Sequence, residues 1–482
     1  MAVRRSLAWM AFGQGGFFCL QFLGSVVVAR LLSPYEIGVF AIAMAVVGLV
    51  SVVQAIGLNN LLVRERDLTP DLVASAAAAN IAICLLLAVT IAVLGYLGEA
   101  LFKEPGVRHV LLVLAVVPII GHFAFVPGAM LEREGNFRTI ALLKMVSTAI
   151  GVGITITLAL KGYSYMSLAY SQVATALLTN VATNVVARRH VTFRLSLAHW
   201  SKVWRFGLQI FAISGASRIA NRTMEVSLGS ILGLGQLGLF SRASNNHNML
   251  WDNIHGVVGR VVFVDFSQRA HEGAPLGDRY LRVLELMSGL LWPVFALVAV
   301  LAGPLIVHIY GPPWAGAAPP LALLCIASIV LVSTTMSWEV FVVCHETARQ
   351  VRFEFIRTLL GTGLFIAGCF ISLEAAAASR ILDALFAQFL YRPHLERMTG
   401  TSRHAFSAIY LRSAIATLVA VAPSLALMIL WRFSAQTPVA LLVLSVGGGG
   451  LLWLLALRGL HHALYGEIMT VLTRLRQRAI AV

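Results

Sequence analysis

The chain has 482 residues, of which 59% are apolar and 12% charged, against roughly 25% charged in an ordinary soluble domain. Its mean hydropathy is +0.85. So few charges cannot cover a soluble fold of this size, and so apolar a chain is not disordered, which leaves a polytopic, all-α membrane protein. The formal net charge of +15 fits basic cytoplasmic loops. No soluble basic domain exists to bind nucleic acid.

In chain order, apolar windows fall at 7–31, 37–57, 72–98, 109–130, 140–160, 165–187, 207–233, 237–262, 283–309, 319–343, 354–373, 375–391, 412–432 and 438–457. Each is about 20 residues, the length of a helical span rather than of a 10-residue barrel strand. About fourteen transmembrane helices are expected, with the boundaries near 373–391 the least defined. Arg4 and Arg5 precede an apolar run that reaches Leu31, too long for a signal peptide and read as a retained first span. Most of the 36 basic residues lie in alternate connections if the N-terminus is inside, which places both termini in the cytoplasm. Arg30, Arg242 and Arg432 stand near span ends and are read as snorkelling.

An internal repeat supports a division of the chain. At an offset of 200 residues Leu32 meets Leu232, Gly38 meets Gly238, Phe40 meets Phe240 and Ala43 meets Ala243. Both copies join the first and second spans of a six-span block, so the blocks run parallel. The expected architecture is two parallel six-helix lobes around a central cavity, plus two extra C-terminal helices. The N-lobe is residues 1–190 and the C-lobe 200–395. Residues 405–482 hold the last two spans and an amphipathic tail for the cytoplasmic membrane surface.

Charge inside a bilayer is expensive, about 2.5–3.5 kcal/mol at a helix centre on insertion scales, so intramembrane polar groups are the candidate site. Ser214, Arg218, Arg222 and Glu225 share one face of span seven. Glu225 can neutralise one arginine, leaving the other for an anionic ligand. Asn245, Asn248, Asp252 and His255 form a second stripe on span eight, and Gln14, Gln21 and Ser25 a third on span one. Either these stripes line a hydrophilic, net-positive cavity or they form an interhelical hydrogen-bond network. Glu339, Glu374 and Asp383 are read as ion-paired, and Gly447–Gly450 as close helix packing. His461 and His462 fall in the tail without metal-like neighbours. The five cysteines, all in apolar segments, are read as small core residues with no disulfide and no metal site.

No P-loop, H-E-x-x-H, G-x-S-x-G or paired C-x-x-C is present, and no cofactor is expected. The chain is expected not to be an enzyme. Transport would draw on an H+ or Na+ gradient.

The stretches LAWMAFGQGG, VVVARLLSPYEIGVFAIA and GLNNLLVRERDLT resemble the start of the polysaccharide-transporter family of oligosaccharide flippases. MLEREGNFR, NRTMEVSLGSILGLGQLGLFSRA, FVDFSQ and GPLIVHIYGPPWAGAAPPL continue the likeness to about residue 395. Glu225 matches the family's acidic residue in span seven, whereas Val264 and Phe240 stand where a proline and a tyrosine are usual. The resemblance implies a flippase for an undecaprenyl-pyrophosphate-linked oligosaccharide repeat unit. It would act in the bacterial inner membrane, for exopolysaccharide, capsule or O-antigen synthesis, by ion-coupled alternating access. On that reading Arg218 and Arg222 hold the pyrophosphate. Gln14, Gln21, Asn245 and Asn248 bond sugar hydroxyls, and Glu225 and Asp252 couple the ion. The partners are the lipid-linked oligosaccharide, membrane lipids, a glycan polymerase and glycosyltransferases. The alternatives in the same superfamily are a cation-coupled multidrug exporter and a lipid II flippase.

Overall fold

A computed structural model describes residues 20–56, 58–65, 67–102, 104–192 and 194–480. Among these residues 86% are helical and none is in a strand, the all-α membrane architecture that the apolar windows require. Every window holds helix among the described residues, and residues 7–19 of the first window lie outside them. In the first half these are α1 (Leu20–Leu31), α2 (Pro34–Val50), α3 (Leu58–Arg64), α4 (Pro70–Phe102), α5 (Pro105–Leu114), α6 (Val117–His122), α7 (Phe125–Arg133), α8 (Phe137–Leu160), α9 (Met166–Val186) and α10 (Trp200–Leu232). In the second half they are α11 (Leu234–His271), α12 (Gly277–Val300), α13 (Ala302–Tyr310), α14 (Ala318–Val332), α15 (Ser337–Val343), α16 (Thr347–Cys369), α17 (Leu373–Thr399), α18 (Arg403–Leu430), α19 (Val439–Gly459) and α20 (Ala463–Ile480). Seven helical stretches among the described residues are long and apolar enough by themselves to cross a bilayer. The total of fourteen therefore rests on the apolar pattern. Helices α1 and α2 are short, α10, α11, α16 and α17 carry charges, and α9 carries hydroxyls and amides instead.

Contacts divide the chain into two compact units, up to Gly238 and from Leu239. In the first, Ser33 and Glu36 cap α2 reciprocally. The Ser33 amide donates to the Glu36 carboxylate at 2.7 Å, the Glu36 amide donates to Ser33 Oγ at 3.3 Å, and Pro34 sits where no helical N–H is needed. The window 109–130 is three helices, α5 to α7. Pro118 and Pro127 fall near the starts of α6 and α7, where a missing N–H breaks no intrahelical bond. The charged motif that ends α7 is a staple with three arms. Glu132 accepts from Asn59 at 2.6 Å, and Arg133 donates to the Leu62 carbonyl in the last turn of α3 at 2.8 Å and to the Glu65 carbonyl just beyond it at 2.5 Å. Glu134 binds Arg189 at 2.6 Å and His190 at 2.7 Å. Those two hydrogen bonds hold the Glu134 carboxyl below its ordinary range.

By its contacts α10 packs on α2, α4 and the 3-10 turn Ser51–Ile56. Its first turns join the core of Leu58, Leu72, Ile83 and Leu87 through Val203 and Trp204. The repeat has a physical counterpart in this unit. A Cβ on Gly38 would collide with the carbonyl of Leu234 and press on the amide of Gly238. A Cβ on Gly238 would collide with the carbonyl of Pro34 and press on the amide of Gly38. The contact is reciprocal, residue for residue at the offset of the repeat.

In the second unit α14 and α16 pack on α17, and α18 packs on both α12 and α19. Arg242 corrects the snorkelling assignment. It is 6% exposed, held between the rings of Tyr310 and Trp314 at 4.8 and 5.0 Å, so cation–π contact rather than water receives its charge. His462 also differs from the surface placement expected of the tail. It is buried beside Gly289, shares a 3.2 Å hydrogen bond with Ser413, and Ser413 shares one of 2.8 Å with Ser288. Glu285 receives the amide of Ala463 at 3.2 Å, and Arg282 pairs with Glu467 at 2.8 Å. The start of α20 is thereby docked on α12 and α19, with Leu464 and Ile468 in a shared apolar cluster.

Of the four consecutive glycines in α19, Gly449 faces the Ala420 carbonyl so closely that a Cβ would clash, whereas Gly447, Gly448 and Gly450 face open space. Gly449→Ala should lower the thermal unfolding midpoint in detergent by the equivalent of about 1–3 kcal/mol. Gly447→Ala and Gly450→Ala should leave it unchanged or raise it, because alanine is the better helix former by about 1 kcal/mol.

Candidate functional site

A helix that is apolar by count still has faces. On α9, Gln172, Thr175, Thr179 and Thr183 recur at spacings of three, four and four, which aligns them along one side. They form one wall of a cavity of about 810 Å³ inside the first unit. Lys144, Ser147 and Thr148 of α8 line it too, as do Asn80 of α4 and Gln54 of the 3-10 turn. Ile83, Leu114, Val117 and Phe125 supply apolar surface. The charged lining residues are Lys144 and Glu132, opposite in sign. The volume lies in the range of roughly 300–1,000 Å³ usual for small-molecule sites. The sequence stripes did not include these residues. Their signal is the spacing of three and four on span six, faint because threonine hydroxyls stand out little in an apolar helix.

The expected site residues are distributed as follows. Arg222 and Glu225 form an ion pair at 2.7 Å, each a little over a third exposed. The Arg222 side chain lies over Gly48 of α2, where a Cβ would come within 2.9 Å of its Cδ. Gln14 and the side chain of Arg218 lie outside the described residues. Gln21 is exposed on α1. Asn245, Asn248 and Asp252 are exposed along one face of α11 in the second unit. His255 is stacked on Trp251 at 5.1 Å, Trp251 on Phe295 at 6.1 Å, and His247 on Phe295 at 5.8 Å. His247 also shares a 2.5 Å hydrogen bond with Ser328. Thus the polar edge of α11 is exposed, while its imidazoles and Trp251 pack together against α12.

Of the three other acidic candidates, Asp383 is ion-paired. It is 4% exposed and lies between Arg357 at 3.2 Å and Arg380 at 3.3 Å. Arg357 also meets Glu354 at 3.4 Å, and Glu354 accepts from the Tyr391 hydroxyl at 3.0 Å. Glu339 is buried beside Gly259, and Glu374 is exposed in the first turn of α17. Among the described residues no group of three or more His, Cys, Asp or Glu is placed to hold a metal ion. Asp383→Ala leaves two mostly buried guanidinium groups without their shared counter-charge. It should lower stability by about 3 kcal/mol or more, read as a fall in unfolding midpoint and in membrane yield, whereas Glu374→Ala on the same helix should change neither.

Comparison with known proteins adds four findings. The family profile described as polysaccharide biosynthesis protein matches residues 27–319. The succinoglycan biosynthesis transport protein ExoT of Rhizobium meliloti (strain 1021) is 27% identical over 329 residues, covering 68% of this chain and 67% of that protein. Among solved structures, the lipid II flippase MurJ in an inward closed conformation superposes with a TM-score of 0.75 at 15% identity, over 92% of this chain and 97% of that one. An inward-facing multidrug resistance MATE family transporter of the MOP superfamily superposes at 0.60 and 14% identity, over 80% and 96%. At those identities the two structures establish a shared fold.

Proposed function

Because this chain belongs to the polysaccharide biosynthesis protein family, we propose that it is a flippase that moves a lipid-linked saccharide across the bacterial inner membrane. The observation that carries this reading is the cavity of the first unit. A membrane-spanning helical unit with a partly open cavity of about 810 Å³, whose largely apolar lining carries a row of amides and hydroxyls, holds polar groups where a bilayer protein otherwise excludes them. A saccharide head needs that shelter, while its lipid tail stays among the acyl chains. The relatives named for succinoglycan transport and lipid II flipping support the substrate class.

On this reading the substrate is an undecaprenyl-pyrophosphate-linked oligosaccharide. Arg222 and Arg218 meet its pyrophosphate, because guanidinium groups bind phosphate oxygens two at a time. Glu225 holds Arg222 at 2.7 Å and is displaced when the anion arrives. A carboxylate released in that way is free to take up H+ or Na+, the coupling role assigned here to Glu225 and to Asp252. Gln14, Gln21, Asn245 and Asn248 offer amides to the sugars. Residues 1–190 and 200–395 act as the two six-helix lobes that alternate access, with 405–482 appended and both termini cytoplasmic. A glycan polymerase and glycosyltransferases are the functional neighbours. The chain performs no covalent chemistry in this scheme. A drug exporter for cationic substrates fits less well: the two charged groups of the cavity lining cancel, and Glu132 is already engaged by Asn59.

The test is reconstitution of the intact chain in vesicles with a carrier-linked oligosaccharide, its glycan read by a membrane-impermeant lectin. With the protein present, inner-leaflet glycan should become accessible with time, and Arg222→Glu should slow this at least tenfold at equal protein. Equal rates with and without protein would refute the flippase reading. Normal rates in both Arg222→Glu and Arg218→Glu would refute only the arginine assignment.

A further inference from the structure

The cavity wall on α9 has a property that its neighbour α8 lacks. Threonine in a helix ordinarily returns its hydroxyl to the carbonyl one turn back. On α8 it does so three times, Thr148 to Lys144 at 2.8 Å, Thr155 to Gly151 at 3.0 Å and Thr157 to Gly153 at 2.8 Å. On α9, Thr175, Thr179 and Thr183 line the cavity, and no hydrogen bond from their hydroxyls or from the Gln172 amide reaches any described residue. Across the cavity Asn80 spends one amide hydrogen on His122 at 2.9 Å and keeps its carbonyl oxygen. The lining therefore offers neutral groups that donate and accept, set among Ile83, Val117 and Phe125.

We infer that this cavity seats the uncharged sugar rings of the substrate, separately from its pyrophosphate. A sugar ring presents hydroxyls that both donate and accept at its rim, and C–H faces that pack on apolar and aromatic surface. The lining matches both. A pyrophosphate presents acceptors and negative charge, and the lining answers with a single lysine offset by Glu132. The division of labour is then sugar rings against α9 and α4, in addition to the amides already named, and phosphate at the arginines of α10. The inference rests on the flippase reading and assigns the glycan end of that substrate.

The experiment uses the intact chain in detergent and two probes, undecaprenyl-pyrophosphate-linked glycan extracted from producing cells and undecaprenyl pyrophosphate without sugar. Wild type should bind the glycosylated carrier more tightly. The double variant Thr175→Val, Thr179→Val removes two hydroxyls that make no hydrogen bond to any described residue and keeps the side-chain shape. It should bind the glycosylated carrier about tenfold or more weakly, and bind the bare carrier unchanged. Arg222→Gln should weaken both. Loss of affinity for both probes in the threonine variant, or for neither, would overturn the glycan seat while leaving the flippase reading in place. Equal wild-type affinity for the two probes would do the same. Wild type that binds neither probe would overturn the flippase reading and the seat with it. If the double variant fails to fold, Gln172→Leu takes its place. Hydrogen exchange of wild type across 166–186 is the companion measurement, slowed by the glycosylated carrier and not by the bare one. Protection by both carriers alike would count against the seat.

Discussion

A polar group in hydrocarbon has no water to fall back on, so the protein must supply its partner. That constraint organises both units. Asp383 sits between two arginines, Arg242 lies between two aromatic rings, and Ser288, Ser413 and His462 form one buried hydrogen-bonded chain. In each case a costly group is satisfied by the helix beside it, and the satisfaction joins the helices. The cavity wall on α9 departs from this rule, since its hydroxyls are not bonded within their own helix. A row of hydroxyls that faces a cavity, beside polar groups that tie one helix to the next, marks the difference between site and architecture.

The helical layout was legible because hydropathy integrates over about 20 residues, and each of the apolar windows holds helix. The breaks within windows were less legible. Pro118 and Pro127 divide span four into three helices, yet proline occurs in continuous helices of this chain as well, at Pro293 and Pro423. Local chemistry alone does not say which proline breaks a helix, because neighbouring helices decide whether the freed carbonyls find partners.

The site was legible in part for a related reason. Charges announce themselves against an apolar background, so Arg222 and Glu225 were singled out with Arg218, and the structure shows that Arg222 is the arginine that Glu225 pairs with. Threonines do not announce themselves. Gln172, Thr175, Thr179 and Thr183 are readable only through their common face, and only tertiary packing shows that this face meets a cavity rather than another helix. Distance along the chain from a span end also proved a poor guide to exposure. Arg242 and His462 lie near such ends, yet Arg242 is covered by the later Tyr310 and Trp314, and His462 is folded back onto the earlier Gly289 and Ser413.

The contact of Gly38 with Gly238 limits how the chain can vary. A Cβ at either position would meet backbone, the carbonyl of Leu234 or of Pro34, which cannot rotate aside as a side chain can. Enlarging both positions at once would add a second collision and relieve neither, so no substitution at one glycine compensates for a change at the other.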